Sequence, residues 1–469
     1  MSGVQGGRRM AGRVLESRPR ISKTLAVGIA AVVVTAASVA GMRGSDQGAP
    51  EAVREAQYSP VTSQALSCPA SFGADAVLLV GSLTEPGEGS LSTRPATGGE
   101  GTTVTIEAGT VATVGVGDVP TILAGQGSAA RALLGARVRT QGPKAAAECT
   151  LPAPETWFTG AGAGGLHTSQ LVLVNPDDGP AVADVTAWSS TGEVEASDLR
   201  GVTVKGNSRV VLDLAELVPT REELAVRVSV GRGRLAATVR DAYTPRGGSG
   251  RVDALQASAA PATDLLIPAF PRQSSEATLV LANPGENASR VSLSVVGVEA
   301  EFTPEGFEEI QVPAGQAVVT ELPDAVTRLV KDEDTVMRLV ASEPVVAGVR
   351  VVVAGDFAHL GAIAPLQGEA GAVVPHQGNR RLVLTTTGEA TVADLEFVGA
   401  SDPAKATGRL RLRPGSASAA TLPAGTRAVV VRSSEPIVGA VRTEEGGIAW
   451  SPLRALVSEK IVPDVRPAW

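Results

Sequence analysis

The stretch LVLANP at Leu279–Pro284 sets the reading of the whole chain, because LVLVNP stands at Leu171–Pro176 and LVLTTT at Leu382–Thr387. Self-similarity of this kind marks a repeated structural unit. In the first two copies a short apolar run of strand length leads into an Asn-Pro turn. Pro284 fixes φ, and Gly285 accepts the positive φ that a chain reversal favours. The third copy keeps the strand and loses the Asn-Pro pair. Later features repeat as well: SEPVVAGVR at Ser342–Arg350 matches SEPIVGAVR at Ser434–Arg442, and Val312-Pro313-Ala314-Gly315 matches Leu422-Pro423-Ala424-Gly425. Ile106-Glu107-Ala108-Gly109 is a degenerate first copy. Unequal offsets place the length differences in loops.

Strands can be counted outward from LVLANP. Ala277–Ala282, Arg290–Val296, Glu309–Val312, Ala317–Leu322, Thr335–Val340 and Val345–Val353 are rich in Val, Leu and Thr and are separated by turn residues. From Arg290 to Val295 every second residue is apolar, so one face packs and the other is wet. Six or seven strands in about 100 residues fit a two-sheet sandwich. The chain therefore reads as all-β, with tandem immunoglobulin-like β-sandwich repeats after an N-terminal transmembrane helix. A closed β-propeller-like array is the alternative, because Lys460-Ile461-Val462-Pro463 matches Leu265-Leu266-Ile267-Pro268 and Gly371-Ala372-Val373-Val374-Pro375, which open the third and fourth copies. A leftover strand has a place in a ring, where it pairs with the opening copy, and none in an open string. Only Glu216–Glu223 and Asp324–Lys331 look briefly helical.

The N-terminus carries an address. Thr24–Met42 is 19 residues without a charge, close to the roughly 20 that span a hydrocarbon core as a helix. Six basic residues and one acid precede it, so the positive-inside bias leaves the tail in the cytoplasm and the bulk outside. Cleavage after Ser38-Val39-Ala40, giving a secreted protein, is the competing reading. The expected organisation is a basic tail (1–23), a membrane span or signal anchor (24–42), a linker (43–64), module 1 (65–150), module 2 (151–262), module 3 (263–370), and module 4 with a C-terminal strand (371–469).

Composition narrows the partners. Hydrophobic residues are 43% of the chain and aromatics 3%, so Val, Leu and Ala build the cores and base stacking has little to work with. From residue 43 onward 35 basic groups face 48 acidic ones, which argues against nucleic acid. Cys68 and Cys149 are the two cysteines, and a disulfide across module 1 is the default in an oxidising compartment, with two buried thiols as the alternative.

No motif for catalysis, cofactor or metal stands out. His167, His359 and His376 are separated by 192 and 17 residues, without the spacing of a zinc site. His167-Thr168-Ser169 lacks a nucleophile elbow. TGAGAGG at Thr159–Gly165 lacks the Lys-Ser/Thr ending of a phosphate loop and reads as a flexible strand connection. Asp177-Asp178, Asp332-Glu333-Asp334 and Glu444-Glu445 read as solvated turns rather than calcium sites. Trp188 falls on the strand face opposite Val185 and is the candidate ligand contact. An enzyme with paired carboxylates would need Asp184, Asp241 or Asp356 in a cleft with an acidic partner.

The order of basic tail, apolar segment, two cysteines around a first module, then W-F-x-G from Trp157 and repeated L-V-L-x-N-P strands resembles actinobacterial secreted or membrane-anchored proteins of unknown function. That resemblance assigns no catalytic residue. It implies a role in envelope or exopolysaccharide assembly beside a large glycosyltransferase. The expectation is a non-catalytic envelope protein that presents β-modules to envelope proteins or cell-wall glycan; an envelope glycan-processing enzyme and a purely structural spacer are the opposing readings.

Overall fold

The computed structural model describes residues 57–462, apart from 74–75, 84–87, 108, 305–308, 324–325, 327–329, 332 and 376–377. The apolar segment 24–42 and His376 lie outside the described residues, and among the described ones no helix is long and apolar enough to cross a membrane.

The fold is nearly all β, in several sheets and without a closed barrel among the described residues. Its logic is clearest in module 1. The eight strands there are Ser63–Cys68, Ala76–Ser82, Gly89–Pro95, Thr102–Val104, Thr110–Val114, Thr121–Gly127, Leu133–Arg139 and Ala146–Glu148. The first, sixth, third and fourth make one antiparallel sheet; the fifth, second, seventh and eighth make the other. Leu66, Cys68, Leu91 and Leu123 from one sheet meet Leu78, Val80 and Leu133 from the other in a shared core.

Three further sets of strands repeat this order along the chain, each as one connected sheet of eight or nine strands folded over a core. Immunoglobulin sandwiches pair the first strand with the second and the seventh with the sixth. Here the first lies beside the sixth and the seventh beside the second, so the expected immunoglobulin order is not reproduced. The cause is local. In module 3 the sixth and seventh strands are one run, Val336–Val353, whose first half pairs with Ala262–Pro268 and Ser289–Val296 and whose second half pairs with Glu276–Asn283 and Asp356–Gly361. The run crosses from one half of the folded sheet to the other at Ser342-Glu343-Pro344, where proline cannot donate to a ladder. Ala428–Glu444 does the same in module 4. The two SEP repeats are therefore sheet-crossing bends.

Two boundaries move. Ser63 and Gln64 already belong to the first strand of module 1, and module 4 opens with Leu366–Val373. A helical turn covers Leu214–Leu217 in place of the expected Glu216–Glu223, whose last three residues open the strand Arg221–Arg232. The Asn-Pro turns are held identically: the side chains of Asn175 and Asn283 each donate to two carbonyls, Gly179 and Val204 or Asn287 and Val312. Thr386 takes that place in module 4, donating to Pro436 O.

Residues 58–461 form one compact unit. The eighth strands of the modules, Ala146–Glu148, Arg251–Leu255, Asp356–Gly361 and Ile448–Pro452, touch one another in cyclic order, the last against the first. Two buried carboxyls tie the junction. Asp253 Oδ1 accepts Ala146 N (3.3 Å), and Asp356 Oδ2 accepts Lys144 N (2.8 Å) and Ile448 N (3.3 Å). Module 4 also packs on module 1 through Val373, Val398 and Val430 against Leu79, Leu134 and Val138. At the C-terminal end Glu459–Val462 pairs with Gln57–Pro60.

Candidate functional site

Where modules 1, 2 and 4 meet, their walls leave a cavity of about 400 Å³. Leu66 and Leu134, Trp157 and Ala257, and Val373 and Leu456 line it from the three modules in turn. One ion pair interrupts this apolar lining, Glu148 Oε2 to Arg454 Nε at 3.1 Å. Burial pushes the Glu148 carboxyl up to about 7, with Arg454 opposing only in part. Glu155 also reaches the cavity, its Oε1 accepting Trp157 Nε1 at 2.7 Å. The Cys68–Cys149 disulfide forms as expected and places Cys149 in the wall. By loop entropy a closure of 81 residues contributes about 4.5 kcal/mol. The adjacent seventh strand needs glycine at Gly135, where a Cβ would lie 2.9 Å from Cys149 Sγ.

A second constellation is buried between modules 2 and 3. His167 opens one strand of module 2, Asp241 sits on the neighbouring strand, and His359 comes from the eighth strand of module 3. Asp241 is the hub. His167 Nε2 lies 3.0 Å and His359 Nε2 2.8 Å from its Oδ2, and Ser169 Oγ donates to Oδ1. Burial alone would lower the pKa of His167, but Asp241 and Glu223 raise it to about 9, so this ring carries a proton. His359 is pushed down by burial and by the nearby charges of Arg350 and His167. Asp241 stays ionised, because the two histidines outweigh the burial that would raise its pKa. Beyond the hub, Arg350 donates to Glu223 Oε1 and stacks over Tyr243, 4.0 Å from the ring centre. His167 Nδ1 approaches the same Glu223 oxygen at 3.5 Å. The 3.2 Å separation of Arg350 Nη1 and His167 Nδ1 then follows from two donors converging on one acceptor.

These histidines are distant in sequence and adjacent in space, so sequence spacing did not reveal a set that could hold a metal ion. The donor atoms of His167, Asp241 and His359 all lie within 4.8 Å of one another. The signal that could have found them is the glycine run. Instead of a flexible connection, Thr159–Ala163 continues the strand Glu155–Ala163 with register shifts on either side of Ala161. A Cβ on Gly162 would fall 2.3 Å from the His167 ring, and Gly160, at φ +90°, stands beside His359.

Trp188 is corrected too. It is 4% exposed, stacks on Trp157 with ring centres 5.2 Å apart, and packs with Ala282, Ala317 and Val346 of module 3. The strand face that looked wet is covered by the next module. Of the three carboxylates that an enzyme would have used, Asp184 accepts Gly201 N (2.8 Å) on the surface. Asp241 and Asp356 are enclosed as described, and none of the three lines the cavity. The acidic clusters serve as partners: Asp177 pairs with Arg234, and Asp334 with Arg272, Arg381 and Arg442.

A multi-module β array with a cavity at its junction and a polar network between modules is the class these features define. Within that class the chain belongs to a family of unknown function, DUF5719, whose pattern matches residues 141–423. No curated protein matches the chain. Among solved structures it is similar to an α-L-rhamnosidase of Streptomyces avermitilis complexed with L-rhamnose, at 11% identity and a TM-score of 0.13. That match covers 81% of this chain and 57% of the rhamnosidase chain, and at such a score it carries no argument about fold or activity.

Proposed function

We propose that this is a non-catalytic protein of the cell envelope, tethered through residues 24–42 with its bulk outside the cell. Its four modules act as one closed array, and the cavity between modules 1, 2 and 4 receives an envelope protein or glycan. One observation carries the reading. The cavity is walled by three modules, is mainly apolar, and has its charge pair already closed on itself, Glu148 to Arg454. Such a site binds by shape and burial. Cross-linking in intact cells followed by mass spectrometry tests it. A photo-reactive residue at Leu66 or Leu456 is expected to capture one reproducible partner, and labelling no higher than at a surface position such as Arg409 would overturn the reading in favour of a spacer.

A second reading rests on Glu148 and Glu155, two carboxyls in the same cavity, the first held up to about 7 as a general acid requires. Purified cell-wall polysaccharide incubated with the full chain decides it. Release of reducing ends that disappears in Glu148→Gln would replace the non-catalytic reading.

A further inference from the structure

We propose that His167, Asp241 and His359 form a zinc-type site that clamps module 2 to module 3. The donor set is right for a divalent transition cation, two imidazole nitrogens and a carboxylate. The residues are 4%, 0% and 3% exposed, so bulk water does not compete for the ligands. Ser169, also fully buried, brings its hydroxyl to the same carboxylate and offers a fourth donor, an oxygen. Glu223 lies outside His167 Nδ1, where the carboxylate behind a metal-bound histidine is normally found. A tetrahedral zinc shell spaces its ligands by about 3.3 Å. The observed 2.8 and 3.0 Å need only a few tenths of an ångström of opening.

An independent observation separates this set from ordinary interface packing. The interface between modules 3 and 4 has the same strand geometry without a His-Asp-His set at the equivalent positions. LVLVNP and LVLANP align His167 with Ser275, and the strand registers align Asp241 with Val351 and His359 with Trp450. Trp450 instead donates Nε1 to Pro268 O at 2.9 Å. Joining two modules therefore does not require a His-Asp-His cluster, and its presence at one junction calls for another reason.

The test uses the purified full chain, stripped with chelator and titrated with Zn²⁺ against a chromophoric competitor. One equivalent is expected to bind, and Co²⁺ in its place is expected to give the intense visible bands of a tetrahedral N/O site. His359→Gln keeps a donor to Asp241 while removing a ligand; it and Asp241→Asn are expected to weaken binding by more than about 100-fold, and Glu223→Gln by about 10- to 100-fold. Circular dichroism of each variant separates loss of the site from loss of the fold. Failure of the folded wild-type chain to retain Zn²⁺, or equal affinity in a folded His359→Gln, would overturn the proposal.

Discussion

The junction of modules 2 and 3 and the junction of modules 3 and 4 are built on one plan and filled with different chemistry. In both, an acid four residues before an arginine of the sixth strand reaches the arginine that ends the next module's SEP repeat. Glu223, ahead of Arg227, meets Arg350; Asp334, ahead of Arg338, meets Arg442. Around the first pair the protein gathers His167, Asp241 and His359; around the second it gathers Arg272, Arg381 and Trp450. The difference separates what the architecture requires from what it merely permits. A buried acid–arginine latch recurs, and the histidines do not.

The largest effect is expected where the latch carries most charge. Asp334 is 2% exposed and is contacted by three guanidiniums, which hold its pKa down although burial pushes the other way. Asp334→Ala leaves Arg442, itself 1% exposed, without that partner. Breaking a buried pair costs about 3–5 kcal/mol when a charge is left uncompensated; Glu444, 2.9 Å from Arg442 Nε, keeps part of the compensation, so the low end of that range is expected. Urea denaturation should show the midpoint falling by a corresponding amount; a loss below about 1 kcal/mol would mean that the repeated pair is incidental.

A double-mutant cycle sharpens the comparison at smaller scale. Glu223→Gln with Arg350→Met should show a coupling of about 1–3 kcal/mol within the first junction. Glu223→Gln combined with Asp334→Asn, which share no partner, should add to within about 0.5 kcal/mol. Strong coupling across the two junctions would mean that the array responds as one body, with no separable latches.

Much of this was legible in the chain. The strands of module 3 fall within a few residues of the stretches rich in Val, Leu and Thr, because alternation and turn chemistry are local properties. The repeat arginines were also visible, as the last letters of SEPVVAGVR and SEPIVGAVR. Their partners were not, because Glu223 and Asp334 lie in the preceding module and no local pattern reports packing between modules. Trp188 failed for the same reason: periodicity shows which face of a strand differs, and the next module decides whether that face stays wet. His167, Asp241 and His359 met through a glycine-bearing strand whose register shifts could not be read from composition.

A pH series tests the central junction against both latches. Burial raises Asp356 to about 6, Glu148 to about 7, and Asp253 well above the usual carboxylate range, the last helped by the neighbouring Asp356 charge. A raised carboxyl pKa means that the folded chain holds protons which the unfolded chain releases. Stability from these groups is therefore fully present below about pH 4 and is lost as pH rises toward about 7. Asp334 works in the opposite sense: its lowered pKa makes its contribution largest above its unfolded value, and that contribution is lost as acid protonates it. Thermal midpoints should decline between pH 5 and about 7, and Asp356→Asn should flatten that decline. An unchanged slope in Asp356→Asn would remove this carboxyl from the account.

The smallest expected effect guards the interpretation of the rest. Asp394 and Arg409 also form a carboxylate–guanidinium contact, 2.9 Å, across adjacent strands of module 4, but the side chains are 57% and 80% exposed. Water screens such a pair, and holding two long side chains in place offsets most of the attraction, so Asp394→Ala should change stability by less than about 1 kcal/mol. The distance matches that of Arg442 Nη2 to Asp334 Oδ1, also 2.9 Å, so the two substitutions compare one contact geometry in two solvents. If Asp394→Ala proved as damaging as Asp334→Ala, burial between modules would not be what makes the latch strong, and the contrast between the two junctions would need another cause.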